Sequence, residues 1–183
     1  MLSERIYSQV LEARFRSITP WWGGGPYGTT RDPSGAAWYP SAETIVGRTK
    51  WFARVLAWTC RYSPGSEMDH SRVEGYIRDL FGYGEAPDTS TRPSMFRLSV
   101  GDASHGRQHS FADIQNVPRI KLGLLGREFL RDEDMPLDDV SFSASIRVPP
   151  KELGGSPEGA RRFAAAMILT LAYAGIGRAA NRG

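Results

Sequence analysis

Residues 140–174 read VSFSASIRVPPKELGGSPEGARRFAAAMILTLAYA. Val140, Phe142, Ala144, Ile146 and Val148 alternate with serines and Arg147. That period of two is the signature of a strand with one face in a core and one in water. Pro149-Pro150 halts the strand, because proline cannot donate to a ladder. Ser156-Pro157-Glu158 then opens a helix: an N-cap side chain, a proline at the first helical position and an acid in the first turn. The helix runs through Phe163, Met167, Ile168 and Leu171 to Ala174.

Upstream, Val10–Thr19 (VLEARFRSIT) alternates Leu11, Ala13 and Phe15 with Glu12, Arg14 and Arg16, and predicts a first half-buried strand ending at Pro20. Residues 21–40 (WWGGGPYGTTRDPSGAAWYP) predict a long loop, uncommon in a compact domain without a function to explain it. Ser41–Tyr62 predicts a helix whose core stripe is Ile45, Thr49, Phe52, Ala53, Leu56, Ala57 and Cys60. Ser66–Phe81 predicts a second, with Val73, Tyr76, Ile77 and Leu80 inward and Gly82 as its stop. Met95–Val100 predicts a short strand, Gly101–Asn116 a polar excursion, Val117–Leu125 a strand or hairpin arm and Asp132–Asp139 an acidic loop. The order β-α-α-β-insertion-β-α matches the first five elements of a ferredoxin-like, RRM-like βαββαβ unit. The fold class expected is therefore α+β: a single domain over 1–183, with loop insertions near 20–40 and 101–139 and the final strand missing.

Composition narrows the function classes. Twenty glycines and twelve prolines make up about 17% of the 183 residues, a loop-rich chain but short of the roughly 25–30% of low-complexity sequence. A single cysteine, Cys60, excludes a disulfide framework within the chain and any multi-thiolate zinc site. The longest apolar run, Phe163–Ala174, is about 12 residues against the roughly 20 that span a bilayer. MLSERIYSQV has no signal-peptide core, so no membrane association and a cytoplasmic location are expected. The net charge of +3 is unevenly spread: residues 1–63 carry +4, residues 160–183 another +4, and residues 64–159 −5. If the two ends meet in space, they make a basic patch suited to a polyanion.

Three constellations could carry chemistry. In Gly47–Arg54 (GRTKWFAR), Arg48, Lys50, Trp51 and Arg54 interleave cations with an indole, as a sugar-phosphate track requires. Gly47 costs the helix about 1 kcal/mol against alanine, for which close approach of another backbone is one reason. The loop tryptophans Trp21 and Trp22 could stack on unpaired bases. The terminal GIGRAANRG offers glycine N–H groups beside Arg178 and Arg182 for phosphate. His105 and His109, with Asp113, are the candidates for acid–base work, and no cofactor or metal is expected. The GxxxxGK[ST], HExxH and GxSxG patterns are all absent.

Four of these stretches, taken in order, resemble the RAMP superfamily of CRISPR proteins. Phe15–Gly25 (FRSITPWWGGG) is similar to the family's opening strand and TPxxTGG-type turn, without the threonine before the glycines. Ile45–Leu56 (IVGRTKWFARVL) resembles its Ser-Ile-x-Gly-x-x-Arg-Trp-Trp-x-Arg helix, and Leu80–Gly82 with Ser94–Val100 its FGS…S segment. Ala174–Gly183 (AGIGRAANRG) is similar to the hallmark glycine-rich loop GGIGxxxxRG. Within the superfamily the pattern is most similar to the subunit-one family of the Cmr module, the type III-B RNA-targeting effector. The resemblance implies a noncatalytic RNA-binding subunit in CRISPR antiviral defence. Its partners would be guide RNA, target RNA and other RAMP subunits of a Cmr-type complex. Arg48, Lys50, Trp51 and Arg54 would belong to the RNA-facing helix, and Gly175, Gly177, Arg178, Arg182 and Gly183 to the phosphate-contacting loop. The family continues into a closing strand and a second ferredoxin-like half, so a split or truncated subunit, or another chain supplying the missing edge, is implied. The alternative within the superfamily is an endoribonuclease that processes CRISPR transcripts, with His105 or His109 as general base.

Overall fold

A computed structural model describes residues 7–22, 30–61, 70–82, 94–114 and 135–176. Its elements in chain order are β1 (Ser8–Arg16), α1 (Ala42–Arg61), α2 (His70–Phe81), β2 (Arg97–Ser104), a single turn α3 (Phe111–Ile114), β3 (Ser141–Val148) and α4 (Pro157–Leu169). A short 3-10 turn, Lys151–Leu153, precedes α4, and a π-helical turn, Thr170–Ala174, follows it. The three strands form one sheet in the order β1-β3-β2. Its direction follows from which residues pair. Ser17 N donates to the Val140 carbonyl at 2.8 Å and Phe15 stacks on Phe142 at 5.4 Å, so numbers rise on β1 as they fall on β3. Ser104 faces Ser141 with their hydroxyls 2.8 Å apart, and Ser143 donates to Asp102 at 2.9 Å, the same reversal between β3 and β2. The sheet is antiparallel, with β3 central. Val140, Phe142, Ala144, Ile146 and Val148 are all buried, as the alternation of that stretch requires.

The chain divides into two compact units: residues 1–13, 42–99 and 144–174 in one, residues 14–41, 100–143 and 175–183 in the other. In the first unit, α1 buries Ile45, Thr49 and Ala53, α2 buries Val73, Ile77 and Leu80, and α4 buries Ala160, Phe163, Ala164 and Met167. Each set recurs at three to four residues, the stripe that turns one helix face to a core. Phe163 is the pivot: fully buried, its ring stacks on Phe96 at 3.8 Å and meets the edge of Phe81 at 5.6 Å. Burying one such side chain contributes roughly 1.5–3 kcal/mol. The start of α4 follows its sequence signals, with Ser156 Oγ accepting the Gly159 N–H at 3.0 Å and Pro157 in the first turn. Gly155 is required by space, since a Cβ there would overlap the Pro149 carbonyl. Helix α2 stops where expected, with Gly82 at φ 72°.

The second unit is built on Trp21, Leu137 and Val140, against which Ala37, Tyr39 and Ile176 pack. Trp21 and Leu137 exchange backbone bonds of 2.7 and 2.9 Å, and Gln108 bridges to Leu137 from the other side. Met135, Pro136 and Leu137 are fully buried inside a stretch that reads as acidic loop, so three apolar residues anchor it. β2 runs to Ser104, and the polar excursion expected from Gly101 begins four residues later. The apolar alternation fails at Gly101-Asp102, and hydroxyl and carboxylate bonds from β3 serines hold the strand instead. The expected arm Val117–Leu125 lies outside the described residues. Among the described residues no helix is long and apolar enough to cross a membrane.

Candidate nucleic-acid interface

Because α1 commits Ile45, Thr49 and Ala53 to the core, Arg48, Lys50, Trp51 and Arg54 fall beside or opposite that stripe. The guanidinium of Arg48 lies 4.3 Å from the centre of the Trp51 ring, one helical turn on. Such a cation–π pair is worth about 0.5–1 kcal/mol at exposed sites. Arg48 Nη2 also donates to the Ala174 carbonyl at 3.2 Å. That oxygen closes the π-helical turn after α4, where carbonyls lack helical partners. Trp51 remains 48% exposed. Lys50 is half-buried, and its charge helps hold the Glu74 carboxyl below the usual range.

Arg54 already has a partner within the protein. Its Nε and Nη2 donate to the two carboxylate oxygens of Glu74 on α2 at 2.7 and 3.0 Å. That fork raises the proton affinity of Arg54 and is the largest cause of the lowered Glu74 carboxyl. A phosphate would have to compete with a carboxylate already in place. Trp21 is corrected: it is 5% exposed and its Nε1 donates to the Trp38 carbonyl at 2.8 Å, so the indole is a core group and cannot stack on a base. Trp22 is half-buried, with a buried Nε1 that has no partner among the described residues. At Gly47 a Cβ would meet nothing within 4 Å, so close backbone approach does not explain that glycine.

Gly175 follows the π-helical turn at φ 62°, the left-handed conformation of a helix-terminating glycine. Gly177, Arg178, Arg182 and Gly183 lie outside the described residues. His105 and His109 belong to the second unit. Tyr39 Oη lies 2.7 Å from His105 Nδ1, and burial, then the charge of Arg31, lowers the proton affinity of that ring. His109 Nε2 lies 2.7 Å from Asp138 Oδ1, while its Nδ1 is 3.9 Å from Asp113 Oδ2. His105 and His109 thus each have one tethered ring nitrogen. Among the described residues no group of three or more His, Cys, Asp and Glu could hold a metal ion. Sequence reasoning passed over Arg31, Tyr39 and Gln108, which sit in the second unit beside the histidines. The only signal for Arg31 and Tyr39 was position in a long loop rich in aromatic residues, and for Gln108 its place between His105 and His109.

Comparison of the chain with protein-family models, with curated proteins and with solved structures finds no match.

Proposed function

We propose that this chain is a noncatalytic RNA-binding subunit of a CRISPR effector of the type III-B, Cmr kind, built on a ferredoxin-like RAMP half. The fold assignment is supported by the strand order. In a split βαβ unit, β1 and β2 run parallel with a gap that a later strand fills antiparallel, and β3 stands in that place here. The observation that carries the RNA reading is the Arg48 link. One guanidinium stacks on a half-exposed indole and bonds to the Ala174 carbonyl, which immediately precedes the glycine-and-arginine tail in sequence. An oligoribonucleotide would stack a base on Trp51 and place phosphates near Arg48 and Lys50, with little sequence preference.

Fluorescence anisotropy with a labelled single-stranded RNA tests this. Affinity falls with added salt in proportion to the phosphates neutralised. Lys50→Glu and Arg182→Ala weaken binding without unfolding the chain, and Trp51→Ala removes roughly 1–3 kcal/mol of stacking. A salt slope near zero, or wild-type affinity in all three variants, contradicts the assignment.

A further inference from the structure

In the second unit, two side-chain links join the turn at residues 30–39 to the stretch at 105–109. Arg31 Nε donates to Gln108 Oε1 at 3.0 Å, and Tyr39 Oη lies 2.7 Å from His105 Nδ1. Arg31 Nη1 donates to the Gly35 carbonyl at 2.7 Å. Both acceptors that orient this guanidinium are neutral. The adjacent acid does not neutralise it either. Asp32 Oδ1 is spent on the turn, accepting from Ser34 N, Ser34 Oγ and Ala36 N at 2.9, 2.6 and 2.9 Å. Those bonds also hold the Asp32 carboxyl below its ordinary range.

Other arginines of the chain pair with carboxylates: Arg16 with Asp139, Arg54 with Glu74, Arg107 with Asp113, and both Arg161 and Arg162 with Glu158. Among the described residues no carboxylate lies within ion-pair reach of Arg31, though it is half-buried and held at two of its nitrogens. A guanidinium fixed by neutral acceptors keeps its charge for an anion, and among the described residues its Nη2 has no hydrogen-bond partner.

His105 supplies a second donor. A phenol is a stronger acid than a neutral imidazole and an imidazole nitrogen the stronger base, so Tyr39 donates to Nδ1. The ring proton of neutral His105 then sits on Nε2. Among the described residues that Nε2 has no protein partner.

We propose that Arg31 and His105 form a binding site for a phosphate group, with the guanidinium supplying charge and the Nε2–H a neutral hydrogen bond. The chemistry is the same for a small phosphate ligand and for a phosphodiester of a nucleic acid. It does not depend on the RNA-facing role of α1.

The test is a titration of uniformly 15N-labelled full-length protein with inorganic phosphate at constant ionic strength, followed by NMR of the His105 ring and the Arg31 Nε–H. Saturable shifts of both are expected. Arg31→Gln, with a wild-type backbone amide spectrum, weakens phosphate binding by about tenfold or more, as expected for a lost charge-assisted pair. His105→Phe weakens it less, and serves on its own should Arg31→Gln disturb the fold. Lys151→Gln, which removes an exposed charge outside both proposed sites, leaves it unchanged. No saturable shift, equal shifts with chloride, or wild-type affinity in both site variants overturns the proposal. A parallel titration with a short oligoribonucleotide identifies the source. Tighter binding than inorganic phosphate, through the same two resonances, marks a backbone site; weaker binding marks a small phosphate ligand.

Discussion

Glu74→Gln should strengthen RNA binding, although it removes an ion pair. The pair is bidentate, with Arg54 Nε and Nη2 on the two Glu74 oxygens at 2.7 and 3.0 Å. Both side chains are over one-third exposed, so solvent screens the attraction and the stability lost is under about 1 kcal/mol. The melting temperature should fall by no more than about 2–4 °C for a chain of this size. Glutamine keeps a carbonyl acceptor for one guanidinium N–H, so Arg54 stays on the helix face but loses its counter-charge. If RNA runs along α1, the released cation neutralises one further phosphate. Each contact with a single strand adds about 0.7 to the log–log salt slope, which corresponds to roughly fivefold in affinity at 0.1 M salt. Anisotropy titrations of wild type, Glu74→Gln, Arg54→Ala and the double variant between low and moderate salt supply the slopes, and urea denaturation supplies the stability control. Arg54→Ala alone should leave the slope unchanged, and in the double variant the gain should vanish. Unchanged affinity in Glu74→Gln, or a gain that persists without Arg54, refutes the reasoning.

Phe163→Ala should cost about 3–5 kcal/mol by urea denaturation, because the ring is fully buried and stacked on Phe96; Tyr173→Ala, 78% exposed, is the control and should cost under about 0.5 kcal/mol. Ser156→Ala removes the N-cap of α4 and should lower stability by about 1 kcal/mol, whereas Ser156→Asp should retain most of it. Arg31→Gln should raise the His105 titration toward its ordinary value of about 6.5, read by NMR, because the Arg31 charge is one of its two depressing causes. The sign for stability follows: the folded ring binds its proton less tightly than the unfolded chain. Its contribution is therefore full above about pH 6.5 and is lost as pH falls through the lower folded value. A wild-type urea midpoint that rises on acidification through that window, or an unmoved titration in Arg31→Gln, contradicts this.

The elements legible in the sequence are those in which one signal dominates. The alternation Val140–Val148 and the Ser156-Pro157-Glu158 start are both in place, as are Ile45, Thr49 and Ala53 of the α1 stripe and Val73, Ile77 and Leu80 of the α2 stripe. Tyr76 departs from its stripe, at 37% exposure. β2 was legible only to Val100, because Asp102 and Ser104 are held by β3 side chains rather than by an apolar face. Met135–Leu137 was hidden by its acidic surroundings, and its burial depends on long-range pairing with Trp21 and Gln108. For the interface, residue type alone marked Arg48, Trp51 and Arg54 as equals. Their separation depends on Glu74, twenty residues on from Arg54, which spacing along α1 cannot reveal. Trp21 is a parallel case: composition proposes a stacking platform, but the indole is buried and its Nε1 bonds to the Trp38 carbonyl.

Ultraviolet crosslinking of the full-length protein to a uridine-rich single-stranded RNA, with the adducts mapped by mass spectrometry, confronts the α1 interface without any substitution. The account predicts adducts within residues 48–54, centred on Trp51. Adducts that leave α1 untouched, or none at RNA concentrations that saturate binding, would contradict it.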